Sequence, residues 1–298
     1  MKRIILISIL IVISQIVSGQ KKLSKIDRLS SKQEVEKYIF SLSNRFEEFT
    51  LIEDSLNIQP FSKIDFDKNG LTDLLAIGTF PIDDINGDDL IKEHEFHILV
   101  VMDYGKDSFQ MISLTRGFIH HFVFPKIVND SIITLNQKAL IFKFGDFIEF
   151  NPHPKKYEIE KIEYQTAPCY GTCPVFRIEI NKDKTGLFKA SNYNSETEIL
   201  PFELPGKPGN SKEIKGVFRT VVRENSYSNI IDLLNYIDFP NLKNNYSVAW
   251  TDDQSSTLTI TYNNGQKKEI RDYGLIGTYG LDRLYQLFFE LRFNQKWE

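Results

Sequence analysis

The chain has 298 residues, 41% of them hydrophobic, with a formal net charge of -4 and a pI of about 5.8. A chain of this length can bury one large core or two cores of ordinary size, and we expect two. Because no basic run occurs after Gly19, neither nucleic acid nor an anionic membrane surface is an expected partner.

The segment from Met1 to Gly19 has the layout of a secretory signal peptide. Lys2 and Arg3 precede an apolar run at residues 4–13, and small residues follow at 17–19. The alternative is an uncleaved membrane anchor, which needs about 20 apolar residues, and this run is shorter. We therefore expect cleavage after Gly19, no membrane span after cleavage, and a mature protein that is periplasmic, bound in the cell envelope or secreted.

The first half of the mature chain, residues 20–152, is predicted to be an N-terminal α+β domain. Ser31 and Glu34 form a capping box, and apolar residues from Val35 to Phe49 then recur at helical spacing. Apolar or alternating segments follow, and the short turns between them indicate antiparallel strands. These strands are predicted at residues 73–80, 95–103, 108–114, 122–128, 131–136 and 139–150.

The second half, residues 157–298, is predicted to be a separate domain. It follows a linker at 153–156, which contains Pro154 and is preceded by Pro152. Helical patterns occur at 225–237 and 281–293, and Asn264-Gly265 is a strong hairpin signal. Strands are predicted at residues 157–164, 175–180, 186–191, 215–222, 256–262 and 267–273. The predicted fold class is therefore α+β, with two domains that each consist of a mainly antiparallel sheet and one or two packed helices.

An acidic loop at residues 65–73 is a candidate calcium site. An EF-hand is excluded, because its twelfth position needs a glutamate and here is Ala76. The loop instead resembles the acidic loop of FG-GAP and VCBS-type repeats, which precedes a strand. The alternative is a polar turn whose side chains cap backbone groups without a metal. The candidate ligands, spaced at every second residue or nearly so, are Asp65, Asp67, Asn69, the Leu71 carbonyl and Asp73.

The two cysteines of the chain, Cys169 and Cys173, are predicted to form a disulfide. An exported chain with an even number of cysteines normally pairs them, and Gly171 permits the turn that brings them together. One alternative is a redox pair, which usually has two intervening residues and lies at a helix start. Another is a copper site with the spacing Cys-x-x-x-Cys-Pro, but such a site needs a later histidine and the last one here is His153.

The second half also resembles an uncharacterised domain family of secreted and lipid-anchored Gram-negative bacterial proteins, over about residues 157–298. Its hallmarks are a Cys-x-Gly-x-Cys-Pro-x-[Tyr/Phe] turn, a late Asp-Tyr-Gly, and a C-terminal helix that ends near a tryptophan. The resemblance implies a compartment but no activity, because the family has none established. The matching residues are Cys169, Gly171, Cys173, Pro174, Phe176, Asp272, Tyr273, Gly274 and Trp297.

The function predicted from the sequence is a non-enzymatic module that binds a small ligand or an envelope protein. No catalytic residue is assigned, since the sequence has no Gly-x-Ser-x-Gly elbow, no P-loop and no dinucleotide fingerprint. The alternatives are a hydrolytic enzyme with carboxylates between the two domains, and a thiol or copper protein. The candidate binding surface consists of Tyr170, Gly171, Asp272 and Tyr273.

Overall fold

The computed structural model describes residues 24–53, 58–81, 94–115, 123–129, 131–195 and 212–298. The predicted signal peptide lies outside these ranges. Within them, no helix is both long enough and apolar enough to cross a membrane.

The first half begins with a helix that covers one face of a five-stranded antiparallel sheet. Helix α1 spans Lys32–Leu42 and starts with the predicted capping box, which is confirmed. The central strand β3 pairs with β4 on one side and with both β1 and β2 on the other. The strands are β1 (Thr50–Leu51), β2 (Phe61–Ile64), β3 (Asp73–Pro81), β4 (His94–Gly105) and β5 (Ser108–Ser113).

Helix α1 is shorter than predicted. The apolar pattern runs to Phe49, but the helix ends at Leu42, because Ser43 is extended and its N–H bonds to two carbonyls of the last turn. Serine and asparagine side chains compete for backbone hydrogen bonds and disfavour helix interiors, and Ser41, Ser43 and Asn44 occur together here.

A four-stranded antiparallel sheet packs on the other face of the first sheet. Ile98 and Met102 of β4 share a buried core with Leu140 and Phe147 of this second sheet. The single strand predicted at 139–150 is a hairpin, because Phe144 and Gly145 both have positive φ and make a two-residue turn. The strands are β6 (Lys126–Asn129), β7 (Ile132–Leu135), β8 (Lys138–Lys143) and β9 (Asp146–Glu149).

The second half is a seven-stranded sheet with helices α2 (Glu224–Tyr236) and α3 (Tyr279–Asn294) on one face. The sheet order is β13-β12-β11-β10-β15-β16-β14, and among these described strands only the β14–β16 pair is parallel. The predicted Asn264-Gly265 hairpin is confirmed between β15 and β16. The strands are β10 (Ile159–Thr166), β11 (Phe176–Asn181), β12 (Thr185–Ala190), β13 (Gly216–Val221), β14 (Asn245–Ser247), β15 (Ser255–Tyr262) and β16 (Gln266–Tyr273).

The predicted α+β fold class is wrong. The described residues form sixteen strands in three sheets and only three α-helices, so the fold is β-rich and mostly antiparallel. The first half holds two stacked sheets where one was predicted. The reason is that the alternating segments after α1 bury two different sheet faces against each other, which local spacing does not reveal.

The two halves meet at the start of α3. Both carboxylate oxygens of Glu149, at the end of β9, accept backbone N–H groups of α3, from Tyr279 and Gly280 at 2.9 Å each. The Tyr279 hydroxyl donates to the Leu114 carbonyl at 2.7 Å and is buried in the core between the first two sheets. A carboxylate at a helix N-terminus stabilises the helix. The division of the chain at 153–156 stays a prediction.

Candidate functional site

A disulfide closes the turn at residues 169–173. Cys169 and Cys173 are bridged, with their Cα atoms 5.8 Å apart, and the predicted disulfide is confirmed. Because the chain has only these two cysteines, it contains no free thiol. The turn connects the end of β10 to the start of β11 at one end of the seven-stranded sheet.

The base of this turn is fixed by Gln254, which sequence reasoning did not identify. Gln254 is buried, and its side-chain amide donates to the carbonyls of Ala167 at 2.8 Å and Pro174 at 2.9 Å. The backbone carbonyl of Gln254 accepts the Gly274 N–H at 2.8 Å. One residue thus ties the two sides of the turn to the chain that follows β16. No motif marks Gln254, because the two carbonyls that it binds lie far from it in the sequence.

The tip of the closed turn presents an aromatic side chain to solvent. The side chain of Tyr170 is 89% exposed, the most open large hydrophobic residue among those described, while its backbone N–H donates to the Asp252 carbonyl at 3.1 Å. This bond places the turn beside the loop that carries Trp250, whose indole N–H donates to Asp253 at 2.8 Å. We define the closed-turn surface as Tyr170, Gly171, Trp250, Asp252, Asp253 and Tyr273.

The predicted surface residues fall into two groups. Tyr170 and Gly171 are exposed, and the half-buried Tyr273 joins them because its hydroxyl oxygen accepts the Asp253 N–H at 3.1 Å. Asp272 instead points to the interior and is 2% exposed. The structure therefore brings three of the four residues to one surface and places the fourth beneath it.

Asp272 belongs to a buried polar cluster with Tyr164, Ser256 and Tyr285. Ser256 lies directly across from Asp272 in the β15–β16 pair, and all four residues are nearly inaccessible to solvent. Within the described structure, no side-chain oxygen of the cluster has a hydrogen-bond partner of good geometry. Buried polar groups normally have one, and a missing partner costs about 1–3 kcal/mol. The cluster is therefore sensitive to the charge of Asp272.

Burial raises the pKa of Asp272 from 3.8 to about 6. Contacts with the Tyr285 hydroxyl and the Ile276 N–H lower the pKa in part, and the carboxylates of Asp282 and Asp253 raise it further. A protonated Asp272 can donate to a neighbouring hydroxyl, whereas the ionised form needs donors that are poorly aligned here. The uncharged form thus suits the cluster better.

A glycine-containing loop at residues 274–278 covers this cluster. A Cβ atom on Gly277, where φ is +52°, would lie 2.7 Å from an Asp272 carboxylate oxygen. A Cβ on Gly274, where φ is +99°, would lie 2.5 Å from a methyl carbon of Val248. Both positions require glycine, because the backbone conformation and the close neighbours each disfavour a side chain.

The acidic loop brings three of its predicted ligands together. Carboxylate oxygens of Asp65, Asp67 and Asp73 lie within 4.8 Å of one another. Calcium binds oxygens at 2.3–2.6 Å, so ligand atoms around one ion lie at most about 5 Å apart, and this spacing fits. The side-chain oxygen of Asn69 accepts the Leu71 N–H at 2.7 Å, so this amide also orders the turn.

The same carboxylates also accept backbone hydrogen bonds, as expected for a capped turn. Asp65 accepts the N–H groups of Asn69 and Gly70, and Asp73 accepts those of Phe66 and Asp103. Asp73 is fully buried, and this burial raises its pKa from 3.8 to about 7, with further increases from Asp67 and Asp65. A cation at this position would relieve the repulsion among the three carboxylates.

These features define a β-rich protein with a disulfide-closed turn that carries an exposed aromatic residue at its tip. Residues 160–292 match a family model described as Domain of unknown function (DUF6438). The match confirms a domain of unknown function over nearly the predicted range, and it includes the whole closed-turn surface. The acidic loop lies outside it. Comparison with curated proteins and with solved structures gives no match.

We expect the disulfide to stabilise the protein. Replacing both cysteines by serine (Cys169→Ser with Cys173→Ser) should lower the free energy of unfolding by about 1–3 kcal/mol, because the bridge closes a short loop. Urea denaturation of the oxidised wild type and the double variant measures this difference. The fold should persist, because Gln254 still holds the base of the turn. A variant as stable as the wild type would show that the bridge has no structural role.

Proposed function

We propose that this protein is an exported, non-enzymatic module that binds a ligand or partner through the closed-turn surface. The observation that carries the proposal is the exposure of Tyr170 on a turn held by a disulfide and a backbone hydrogen bond. Because the backbone of the turn is already held, binding has to order only the Tyr170 side chain, which limits the entropy cost. Tyrosine and tryptophan also dominate the energetics of many interfaces.

Export is part of the proposal. The layout of the segment from Met1 to Gly19 supports it, and so does the disulfide, because disulfides persist in oxidising compartments. The resemblance to secreted and lipid-anchored proteins of Gram-negative bacteria supports a periplasmic, envelope or extracellular location.

The hydrolytic alternative receives less support. It requires two carboxylates that converge in a cleft, and Glu149, a carboxylate at the contact between the halves, is engaged in capping α3. A broad groove of about 750 Å³ lies beside β2, and no carboxylate is found among its described lining residues. Lys32 and Lys63 line it together with serines and apolar side chains.

A pull-down from the cell-envelope fraction tests the proposed function. Mature wild-type protein, the Tyr170→Ala variant and the Tyr193→Ala variant serve as baits. Tyr193 is a matched control, because it is also an exposed tyrosine, at 52%. We expect a species that wild type and Tyr193→Ala retain and Tyr170→Ala loses. A species retained equally by all three baits would contradict binding at the closed-turn surface.

We also propose that the acidic loop binds calcium through Asp65, Asp67 and Asp73. A ligand that binds only the folded state stabilises it by about 2.7 kcal/mol at one hundred times its Kd. Millimolar calcium should therefore raise the Tm of the wild type, and Asp67→Asn should abolish the rise. The control is Asp183→Asn, in an exposed hairpin turn of the seven-stranded sheet, and this variant should still show the calcium-dependent rise in Tm. If calcium does not raise the Tm of the wild type, the loop is a capped turn and not a calcium site.

A further inference from the structure

The charge of the closed-turn surface indicates the kind of partner that it fits. Asp252 contacts Tyr170 and Asp253 contacts Trp250. Segments 166–176 and 248–254 contain no lysine or arginine. The next basic residue along β16, Arg271, is paired with Glu269 at 2.9 Å. We propose that the surface binds a lysine- or arginine-bearing segment of a partner protein, an inference that rests on the proposed function.

Aromatic rings and carboxylates are both attractive to a cation. The face of a tyrosine or tryptophan ring is electron-rich and binds ammonium or guanidinium groups within about 6 Å of its centre, and a neighbouring carboxylate adds a charge-assisted hydrogen bond. This chain uses the same chemistry internally, where the Arg292 guanidinium lies 4.8 Å from the centre of the Phe176 ring. Tyr170 and Asp252 offer an aromatic and an acidic group, and segments 166–176 and 248–254 contain no lysine or arginine of their own.

The orientation of the groups favours a cationic segment. The Tyr170 side chain projects from the closed turn, and the backbone carbonyl of the exposed Asp252 accepts the Tyr170 N–H. The Asp252 carboxylate accepts a long bond of 3.5 Å from the Thr251 hydroxyl, which leaves it open to a stronger, charged donor. Asp253 holds the Trp250 indole and adds a second negative charge. A neutral glycan could stack on the same rings, but it would gain nothing from this net charge, whereas a basic segment is steered towards it.

Calorimetric titration of the mature protein with short peptides tests the proposal. The probes are tetra-arginine, tetra-lysine, tetra-glutamate and a neutral cello-oligosaccharide, each in 20 mM and 200 mM NaCl. We expect the basic peptides alone to bind, with an affinity that falls as the salt concentration rises, because these charges are exposed. Tyr170→Ala and Asp252→Asn should each weaken binding about fivefold, the effect of losing roughly 1 kcal/mol.

Tyr193→Ala removes an exposed tyrosine and Asp232→Asn an exposed aspartate, both outside the closed-turn surface, and both variants should bind like wild type. If tetra-glutamate or the oligosaccharide binds more tightly than the basic peptides, the assignment of a cationic partner is overturned. Equal affinities of wild type and Asp252→Asn would also overturn it. If Tyr170→Ala alone loses the envelope species while no basic peptide binds, the proposed function stands and this inference fails.

Discussion

Replacing Gly274 by alanine is expected to lower the free energy of unfolding by about 3 kcal/mol. The left-handed region costs a non-glycine residue roughly 1–2 kcal/mol, and overpacking a side chain costs about 1–3 kcal/mol more. The new Cβ would lie 2.5 Å and 2.7 Å from the two methyl carbons of Val248. Val248 cannot move freely, because its backbone N–H donates to the Tyr273 carbonyl. Urea denaturation at pH 7 measures the loss.

Gly265→Ala is the matched control for this substitution. Gly265 also has positive φ, +82°, but a Cβ there would have no neighbour within 4 Å. Only the backbone cost of roughly 1–2 kcal/mol should therefore appear. If the two variants lose the same free energy of unfolding, the loop at residues 274–278 does not pack closely against Val248.

Replacing Asp272 by asparagine is expected to stabilise the protein at pH 8 by about 3 kcal/mol and to change little at pH 4. The folded-state pKa of Asp272, about 6, lies above the ordinary 3.8, so the folded state holds the proton more tightly. The resulting stabilisation is complete below pH 3.8 and is lost as pH rises through 6. The difference between these two pKa values corresponds to roughly 3 kcal/mol. Asparagine resembles the protonated acid and avoids this loss.

The measurement is urea denaturation of both proteins at pH values from 4 to 8, reported as the difference in unfolding free energy. Using the difference removes the contribution of other titrating groups, including Asp73. Asp232→Asn, an exposed aspartate on α2, removes the same charge and should show a difference near zero throughout. If the difference in unfolding free energy between wild type and Asp272→Asn does not change with pH, the raised pKa of the buried Asp272 is contradicted.

Much of the local structure follows from the sequence. The capping box at Ser31 is confirmed because its two hydrogen bonds join residues only three apart. The hairpin at Asn264-Gly265 is confirmed for a similar reason, since both residues adopt the positive φ that the turn needs. The disulfide between Cys169 and Cys173 also depends on a short turn. Each of these features is determined by neighbours in the chain.

The arrangement of the site depended on contacts between distant segments. Gln254 and Trp250 carry no motif, and they reach the closed turn only because β10 pairs with β15. The burial of Asp272, by contrast, could have been predicted from the alternation of inward-facing and outward-facing residues along β16. Lys268 and Ile270 of β16 face inwards, and strand periodicity then directs Asp272 inwards as well.

The stacking of two sheets in the first half could not be predicted from local patterns either. Alternating residues of β4 contribute to two separate cores, so that Ile98 packs on the four-stranded sheet while Leu99 lies on the side of α1. A continuous apolar segment indicates a strand buried on both faces, but it does not identify what covers each face. The choice between a helix and a second sheet is made by long-range packing.

Site-specific photo-crosslinking in growing cells tests the closed-turn surface most directly. A photoreactive phenylalanine analogue replaces Tyr170 in one protein and Tyr193 in another, so both positions carry an exposed aromatic group. We predict a discrete crosslinked species from position 170 that is absent from position 193 and that added tetra-arginine suppresses. Identical crosslinking from both positions, or none from position 170, would contradict a binding role for this surface.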